Sequence, residues 1–183
     1  MNSNIRIKKG LFNRIETIDW DQVIQTDFPK VFNYFRYSGL DDDTAEELAA
    51  TTFEKAWRAR KKYDPEKSAI TTWLTTIAKN TLIDYYRTKK TTYPIDTLEQ
   101  KQESGSQEHN LEQKIQETEI FEKLRWLLFQ LPDRERELIA LKYGTGLTNR
   151  DIAKLTGLTE SNIGTILHRV ISFLRSSMEV KNE

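Results

Sequence analysis

Three residues near the carboxyl end stand at a spacing with a mechanical meaning. Ala153, Gly157 and Ile163 follow one another at intervals of four and six. A small residue lets two helices approach closely, and a glycine takes the backbone conformation of a tight turn. A branched apolar residue then packs the second helix on the first, which is the pattern of a helix-turn-helix. In that second helix Ser161, Thr165, His168 and Ser172 fall opposite an apolar stripe of Ile163, Ile166, Leu167, Val170 and Leu174, with Arg169 at its margin. Short polar side chains and a guanidinium suit a helix lying in the major groove, where base edges present donors and acceptors. The same residues also fit a plain helical hairpin whose glycine merely ends a helix. The spacing alone does not separate the two.

A second group is electrostatic. From Glu54 to Lys90 there are ten basic residues against four acidic ones, a net +6. From Thr91 to Leu124 there are three basic residues against eight acidic ones, a net −5. The first stretch would attract phosphate and the second repel it, although solvated helix faces give similar counts. Other chemistry is poorly served. The chain has no cysteine, which excludes disulfides, thiolate catalysis and cysteine-ligated zinc. Its two histidines, His109 and His168, are far apart and have no carboxylate cluster. No catalytic set, metal site or cofactor is therefore expected, and an enzyme is the least favoured class.

The elements that must position these residues are helical. The chain has 183 residues, 37% hydrophobic and 31% charged, a globular composition that fits one domain or two small ones. Apolar periodicity predicts a first helix over Trp20 to Tyr37, stopped at Gly39. Asp43 with Glu46 reads as a capping box. The helix it opens carries Leu48, Ala49, Thr52, Phe53, Ala56 and Trp57 on one face and ends near Tyr63. Asp64 to Ser68 reads as a turn. A third helix buries Ile70, Trp73, Leu74, Ile77, Ala78, Leu82 and Tyr85, and presents Thr72, Thr76, Lys79, Asn80, Ile83 and Arg87. Trp57 and Trp73 are expected in the core.

Between Lys89 and Gln113 the periodicity fades, and the polar run from Gln100 to Glu108 reads as a flexible linker. A helix is expected to resume at Glu112 and run to Gln130. Leu131-Pro132-Asp133 starts another, since proline is tolerated in a first turn and Asp133 and Glu135 favour the helix dipole. Thr148 with Asp151 forms a second capping box, and Thr159 caps the last helix. The predicted fold is all-α: two small helical domains joined by a flexible linker, the carboxyl-terminal one a helix-turn-helix. Residues 1–18 form an extension, 19–90 the first domain, 91–111 the linker and 112–183 the second domain. No apolar run reaches membrane-spanning length, and Met1 to Gly10 lacks the apolar core of a signal peptide. No membrane insertion and a cytoplasmic location are expected.

Both halves together resemble one family. Leu131-Pro132-Asp133-Arg134-Glu135-Arg136-Glu137, Leu141-Lys142-Tyr143, Ile152-Ala153, Gly157, Leu167-His168-Arg169 and Leu174-Arg175 resemble region 4 of extracytoplasmic-function sigma factors. Tyr34-Phe35-Arg36, Ala45-Glu46-Glu47-Leu48, Thr52-Phe53, Ala56-Trp57, Tyr63-Asp64-Pro65, Thr72-Trp73-Leu74 and Ile77-Ala78-Lys79-Asn80 resemble region 2. The resemblance covers about Asp19 to Arg175, with the two regions in the family's order. It implies core RNA polymerase and promoter DNA as partners, with an anti-sigma factor as a further one. It assigns contact with the polymerase clamp to Glu46, Glu47, Leu48 and Phe53. It assigns the −10 element to Tyr63, Lys67, Ser68, Thr76, Lys79, Asn80 and Arg87. It assigns the −35 element to Arg150, Ser161, Asn162, Thr165, His168 and Arg169.

The chain departs from the family at four places. Ala50 and Thr51 stand where the clamp-facing run has Gln and Glu, and Gly164 and Ile166 where the recognition helix often has basic residues. Gly164 should weaken that helix locally. Two alternatives stay open on the residues: a helix-turn-helix regulator that never enters polymerase, and a sigma-like helical adaptor that binds no DNA. Co-purification with core polymerase would separate the first, and salt-dependent DNA affinity the second.

Overall fold

The computed structural model describes residues 18–92 and 111–179, and every regular element among them is helical. Helix α1 spans Trp20–Tyr37, α2 Asp42–Ala59 and α3 Ile70–Thr92. A short 3₁₀ turn, Arg60–Lys62, follows α2. Helix α4 spans Leu111–Gln130, α5 Asp133–Ile139, α6 Asn149–Thr156 and α7 Glu160–Glu179. The expected linker falls mainly on residues 93–110, outside the described residues, as do residues 1–17 and His109.

Local sequence explains where the helices start. Asp19 caps α1, its carboxylate accepting from the Gln22 N–H at 3.1 Å. The cap of α2 is Asp41, not the expected Asp43. Its carboxylate accepts the Thr44 N–H at 2.8 Å and the Thr44 hydroxyl at 3.0 Å, leaving Asp42 and Asp43 in the first turn. Burial works against the ionised Asp41, but the Thr44 hydrogen bonds and the Arg125 charge outweigh it and hold the carboxyl below its usual range. Pro132 stands just ahead of α5 as its N-cap, with Asp133 and Glu135 in the first turn, where the positive end of the helix dipole favours them. Thr148 caps α6: its hydroxyl accepts the Asp151 N–H at 3.2 Å and donates to the Asp151 carboxylate at 2.6 Å. Thr159 accepts the Asn162 N–H at 3.2 Å and opens α7.

Helix α5 runs into a wider π-type turn, Ala140–Gly144, closed by the Thr145 N–H donating to the Ala140 carbonyl five residues back. Leu138, Ile139, Ala140 and Leu141 are all buried. No ordinary helix hides four consecutive residues unless it is enclosed on all sides.

The two helical units pack against each other. Val31, Tyr34, Phe35 and Leu74 of the amino-terminal helices and Leu128, Leu138, Leu141 and Ile163 of the carboxyl-terminal ones belong to one continuous core. The contact is made chiefly by α1 against the π-type turn. The physical reason is the apolar surface each three- or four-helix unit has left over, since burying one such side chain is worth about 1.5–3 kcal/mol. Asp27, 3% exposed, fixes α1 to the start of α3 by accepting from the Thr71 hydroxyl at 2.5 Å, while the Lys30 ammonium neutralises it at 2.9 Å.

Candidate nucleic-acid interface

The expected outer face of α3 is largely present. Thr76, Asn80, Ile83 and Arg87 are exposed and lie along one side of the helix, as their three-and-four spacing requires. Thr72, expected beside them, is buried. Lys79 shares the face but is not free: its ammonium sits 2.7 Å from the Glu137 carboxylate, which comes from α5. Trp73 is half-buried against the core, as expected.

The turn between α2 and α3 is built from within. The Asp64 carboxylate accepts the Glu66 N–H at 3.0 Å, and the Lys67 N–H donates to the Asp64 carbonyl at 3.1 Å. The Tyr63 hydroxyl donates to the Ser68 carbonyl at 3.0 Å and so ties the two ends of the turn together. Tyr63 was expected to touch DNA, yet it is 5% exposed and packs on Trp73 with ring centres 5.1 Å apart. Burial, helped by the Asp64 carboxylate, pushes its phenol above the ordinary range. Its place is that of a prop for the turn. Lys67, by contrast, is well exposed, and Ser68 is partly so.

Trp57, expected in the core, is 50% exposed. It meets Trp20 edge-on at 5.6 Å, and the Arg60 guanidinium lies 4.0 Å over its ring. The exposed indole lies beside Arg58, Arg60, Lys61 and Lys62, so an aromatic surface and a basic strip meet here. The signal available in the sequence was the basic cluster that follows Trp57 at once. Apolar spacing alone pointed inward.

On α2, Glu46 and Glu47 are exposed, and Ala50, Glu54 and Arg58 continue their stripe. Leu48, expected in the same contact set, is 7% exposed and packs in the core, and Phe53 is partly buried against Phe28 at 5.5 Å. Helix geometry explains the split: at about 100° per residue, Leu48 lies about 200° round from Glu46 and so turns to the core. Glu46 and Glu47 remain the accessible members.

The helix-turn-helix forms as its spacing implies. Gly157 ends α6 in the left-handed conformation at φ 73°, and its N–H donates to the Ala153 carbonyl at 2.9 Å. On α7, Ile163, Leu167, Val170 and Leu174 are buried and Ile166 half-buried. Ser161, Asn162, Thr165, His168 and Arg169 are exposed. Arg150, on α6, is exposed and lies 3.5 Å from Glu160. Arg169, its side chain well exposed, pairs with the Glu135 carboxylate of α5. Gly164 sits near Asn149, with room for a methyl group.

A further surface was not anticipated. Trp126 of α4 and Phe173 of α7, 60% and 47% exposed, line an apolar groove with Leu127, floored between the two helices. Lining one groove, these two large side chains make a contiguous apolar surface rather than scattered exposed residues. Among the described residues no group of histidines, cysteines or carboxylates gathers as a metal site, and no helix is long and apolar enough to cross a membrane.

Comparison with known proteins agrees with this layout. Residues 23–92 match the family described as sigma-70 region 2, and residues 121–174 match sigma-70 region 4. An ECF RNA polymerase sigma factor, RpoE of Cereibacter sphaeroides, is 29% identical over 150 residues, spanning 82% of this chain and 81% of that protein. The RNA polymerase sigma factor YlaC of Bacillus subtilis is 29% identical over 157 residues, spanning 85% of this chain and 90% of its own. In fold, the chain superposes with a TM-score of 0.66 on the sigma factor RpoE solved with the anti-sigma factor NepR from Bartonella quintana. That match has 22% identity and covers 90% of this chain and 99% of the other. The structure of CnrH with the cytosolic domain of CnrY gives a TM-score of 0.64 at 16% identity, covering 96% and 98%.

Proposed function

From the premise that this chain belongs to the extracytoplasmic-function group of sigma-70 factors, we propose that it directs core RNA polymerase to promoters, reading the −35 element with α7 and opening the −10 element with α3 and the turn before it. The observation that carries this reading is the pairing, in one chain, of an exposed polar recognition helix with a basic, aromatic-edged surface. The first surface would read duplex and the second would hold single strands. Major-groove readout needs the exposed polar side chains of Thr165, His168 and Arg169. Melting costs a few kcal/mol for each flipped base. Stacking on an exposed ring, with cations beside the backbone, offsets that cost, and Trp57, Arg60 and Lys67 offer these groups. Tyr63 acts indirectly, by holding the turn in shape.

The chain performs no covalent chemistry in this reading and works by binding alone, in the cytoplasm where polymerase and DNA meet. Glu46 and Glu47 dock on the polymerase clamp. The Trp126–Phe173 groove takes a protein partner, for which an anti-sigma factor, the partner named with the solved RpoE of Bartonella quintana, is the natural class.

Run-off transcription with core polymerase on genomic fragments, followed by mapping of start sites, tests the proposal. Transcripts that depend on this protein are expected, and Glu47→Lys should weaken core association while leaving DNA binding by α6 and α7 intact. No co-purification with core polymerase, together with salt-insensitive DNA binding, would leave the chain a sigma-like adaptor instead.

A further inference from the structure

The exposed face of α7 offers fewer hydrogen-bond donors than its residue types imply. Ile163, Leu167, Val170 and Leu174 form the buried stripe, and Ser161, Thr165, His168 and Ser172 lie across the helix from it, all exposed. At about 100° per residue, Thr165 and Ser172 stand nearest the middle of that face. Thr165 is the one in the amino-terminal half, the part of a recognition helix that reaches base edges. A hydroxyl has a single proton to give. That of Thr165 goes to the Ser161 carbonyl at 3.1 Å, and that of Ser172 to the His168 carbonyl at 2.9 Å. Thr165 therefore keeps a methyl group and an acceptor oxygen for a ligand, and the oxygen is drawn back towards the helix. Its chain neighbours add no donor. Ile166 is an alkyl group, and Gly164 has no side chain. A Cβ added at Gly164 would meet only the Asn149 side-chain nitrogen, at 3.7 Å, so there is a gap beside Thr165.

We propose that Thr165 is a specificity-determining residue that reads the 5-methyl group of a thymine, and that the gap at Gly164 gives this methyl room to seat against the helix. The inference rests on the −35 reading proposed above and names what that site selects. In the major groove guanine shows only acceptors, adenine and cytosine show an amine, and thymine shows a methyl beside its O4 acceptor. Thr165 has no donor left for guanine. Its methyl meets thymine's methyl by apolar contact, while the nearest donors on α7, one turn away at Ser161, Asn162, His168 and Arg169, remain for O4 and for neighbouring bases. The contact is worth about a fourfold factor in affinity, which is what burying one carbon of this size gives. It acts at one base pair.

The test uses the full chain bound to core polymerase, which selects sequences from promoter duplexes randomised in the −35 element alone. In the enriched duplex each thymine is then replaced in turn by deoxyuridine, which keeps O4 and the base pairing and lacks only the methyl. One replacement should lower affinity by about fourfold and the others should have little effect. Thr165→Val keeps a methyl and drops the hydroxyl, so the difference between thymine and deoxyuridine should persist. Thr165→Ser keeps the hydroxyl and drops the methyl, so the difference should vanish. An enriched element without thymine, or equal affinity for thymine and deoxyuridine at every position, overturns the inference. So does a Thr165→Ser protein that still discriminates, because the methyl is then read elsewhere, or a Thr165→Val protein that no longer does, because the hydroxyl is then the reader. Failure to enrich any sequence, or to associate with core polymerase, is a separate result: it overturns the −35 reading itself and takes this inference with it.

Discussion

Arg169 of the recognition helix is paired with Glu135, a residue of α5 that lies beyond the helix-turn-helix itself. The pair aims the guanidinium while the imidazole beside it, His168, stays exposed. A partly exposed ion pair is worth about 0–1 kcal/mol, so Arg169→Ala should leave folding nearly unchanged. Binding should suffer more. A bidentate guanine contact would cost about 1–3 kcal/mol and relax preference at one base pair. A phosphate contact would weaken every sequence alike and flatten the salt dependence. Glu135→Gln should release the guanidinium and raise affinity for DNA of any sequence. Competition binding with −35 variants at two salt concentrations reads all three effects. If Arg169→Ala and His168→Ala both leave affinity and base preference untouched, α7 is not the DNA reader.

Leu167 lies on the opposite side of the same helix and is 6% exposed. Leu167→Ala should cost roughly 2–5 kcal/mol in urea unfolding, the usual range for a truncated buried leucine. Its DNA affinity should fall equally at all sequences, because the reader itself loses its seat. A base-selective loss would mean that Leu167 touches DNA.

Gly164 has room to spare: an added Cβ meets only the Asn149 side-chain nitrogen, at 3.7 Å. Gly164→Ala should therefore stabilise the protein by about 0.5–1 kcal/mol, the usual helix preference of alanine over glycine. Thermal unfolding checks this. A lowered midpoint would show that the close pairing of α6 and α7 depends on the glycine.

Asp41 gives a pH dependence with a definite sign. Its folded carboxyl titrates below the unfolded one, so its stabilising effect is present above about pH 4, the ordinary aspartate value, and is lost as pH falls through the folded pKa. At neutral pH, Asp41→Ala should cost about 1 kcal/mol through the lost cap. The difference between the two proteins should shrink towards pH 3. Urea midpoints at pH 7 and pH 3 measure it, and an equal gap at both would remove the carboxylate from the cap.

Much of this architecture is readable in the sequence, and the failures share a cause. The helix Trp20–Tyr37, the buried stripe of α7 and the Thr148 cap follow from local spacing, and the structure has them where expected. Asp41 and Asp43 could not be ranked, because identical side chains two apart differ only in which one the backbone turns towards Thr44. Tyr63 looked like a surface residue until Trp73 packed on it, a contact made ten residues away across a turn. Trp57 had apolar neighbours on its helix, but the core ends at Ala56 and leaves the indole to Trp20 and Arg60. Lys79 and Glu137 come from opposite halves of the chain, and no periodicity within either half brings them together. Which of the exposed residues touch DNA or polymerase is a property of partners, and the chain's own pattern says only which are free to do so.

The π-type turn at Ala140–Gly144 gives this chain an unusual relation to length variation. One residue fewer there would let the hydrogen bonds close in the ordinary four-residue register, so the local helix would survive the loss. Everything downstream would swing by about 100°, the rotation of a single residue. Ala140 and Leu141 are fully buried and Gly144 has no room for a Cβ beside α1, so side chains in this segment are hard to exchange, and an insertion or deletion would be inherited as a change of bearing for the whole helix-turn-helix. Such a change would also pull Leu138, Leu141 and Ile163 out of the core they share with Val31, Tyr34 and Phe35, so it would be felt as loss of stability.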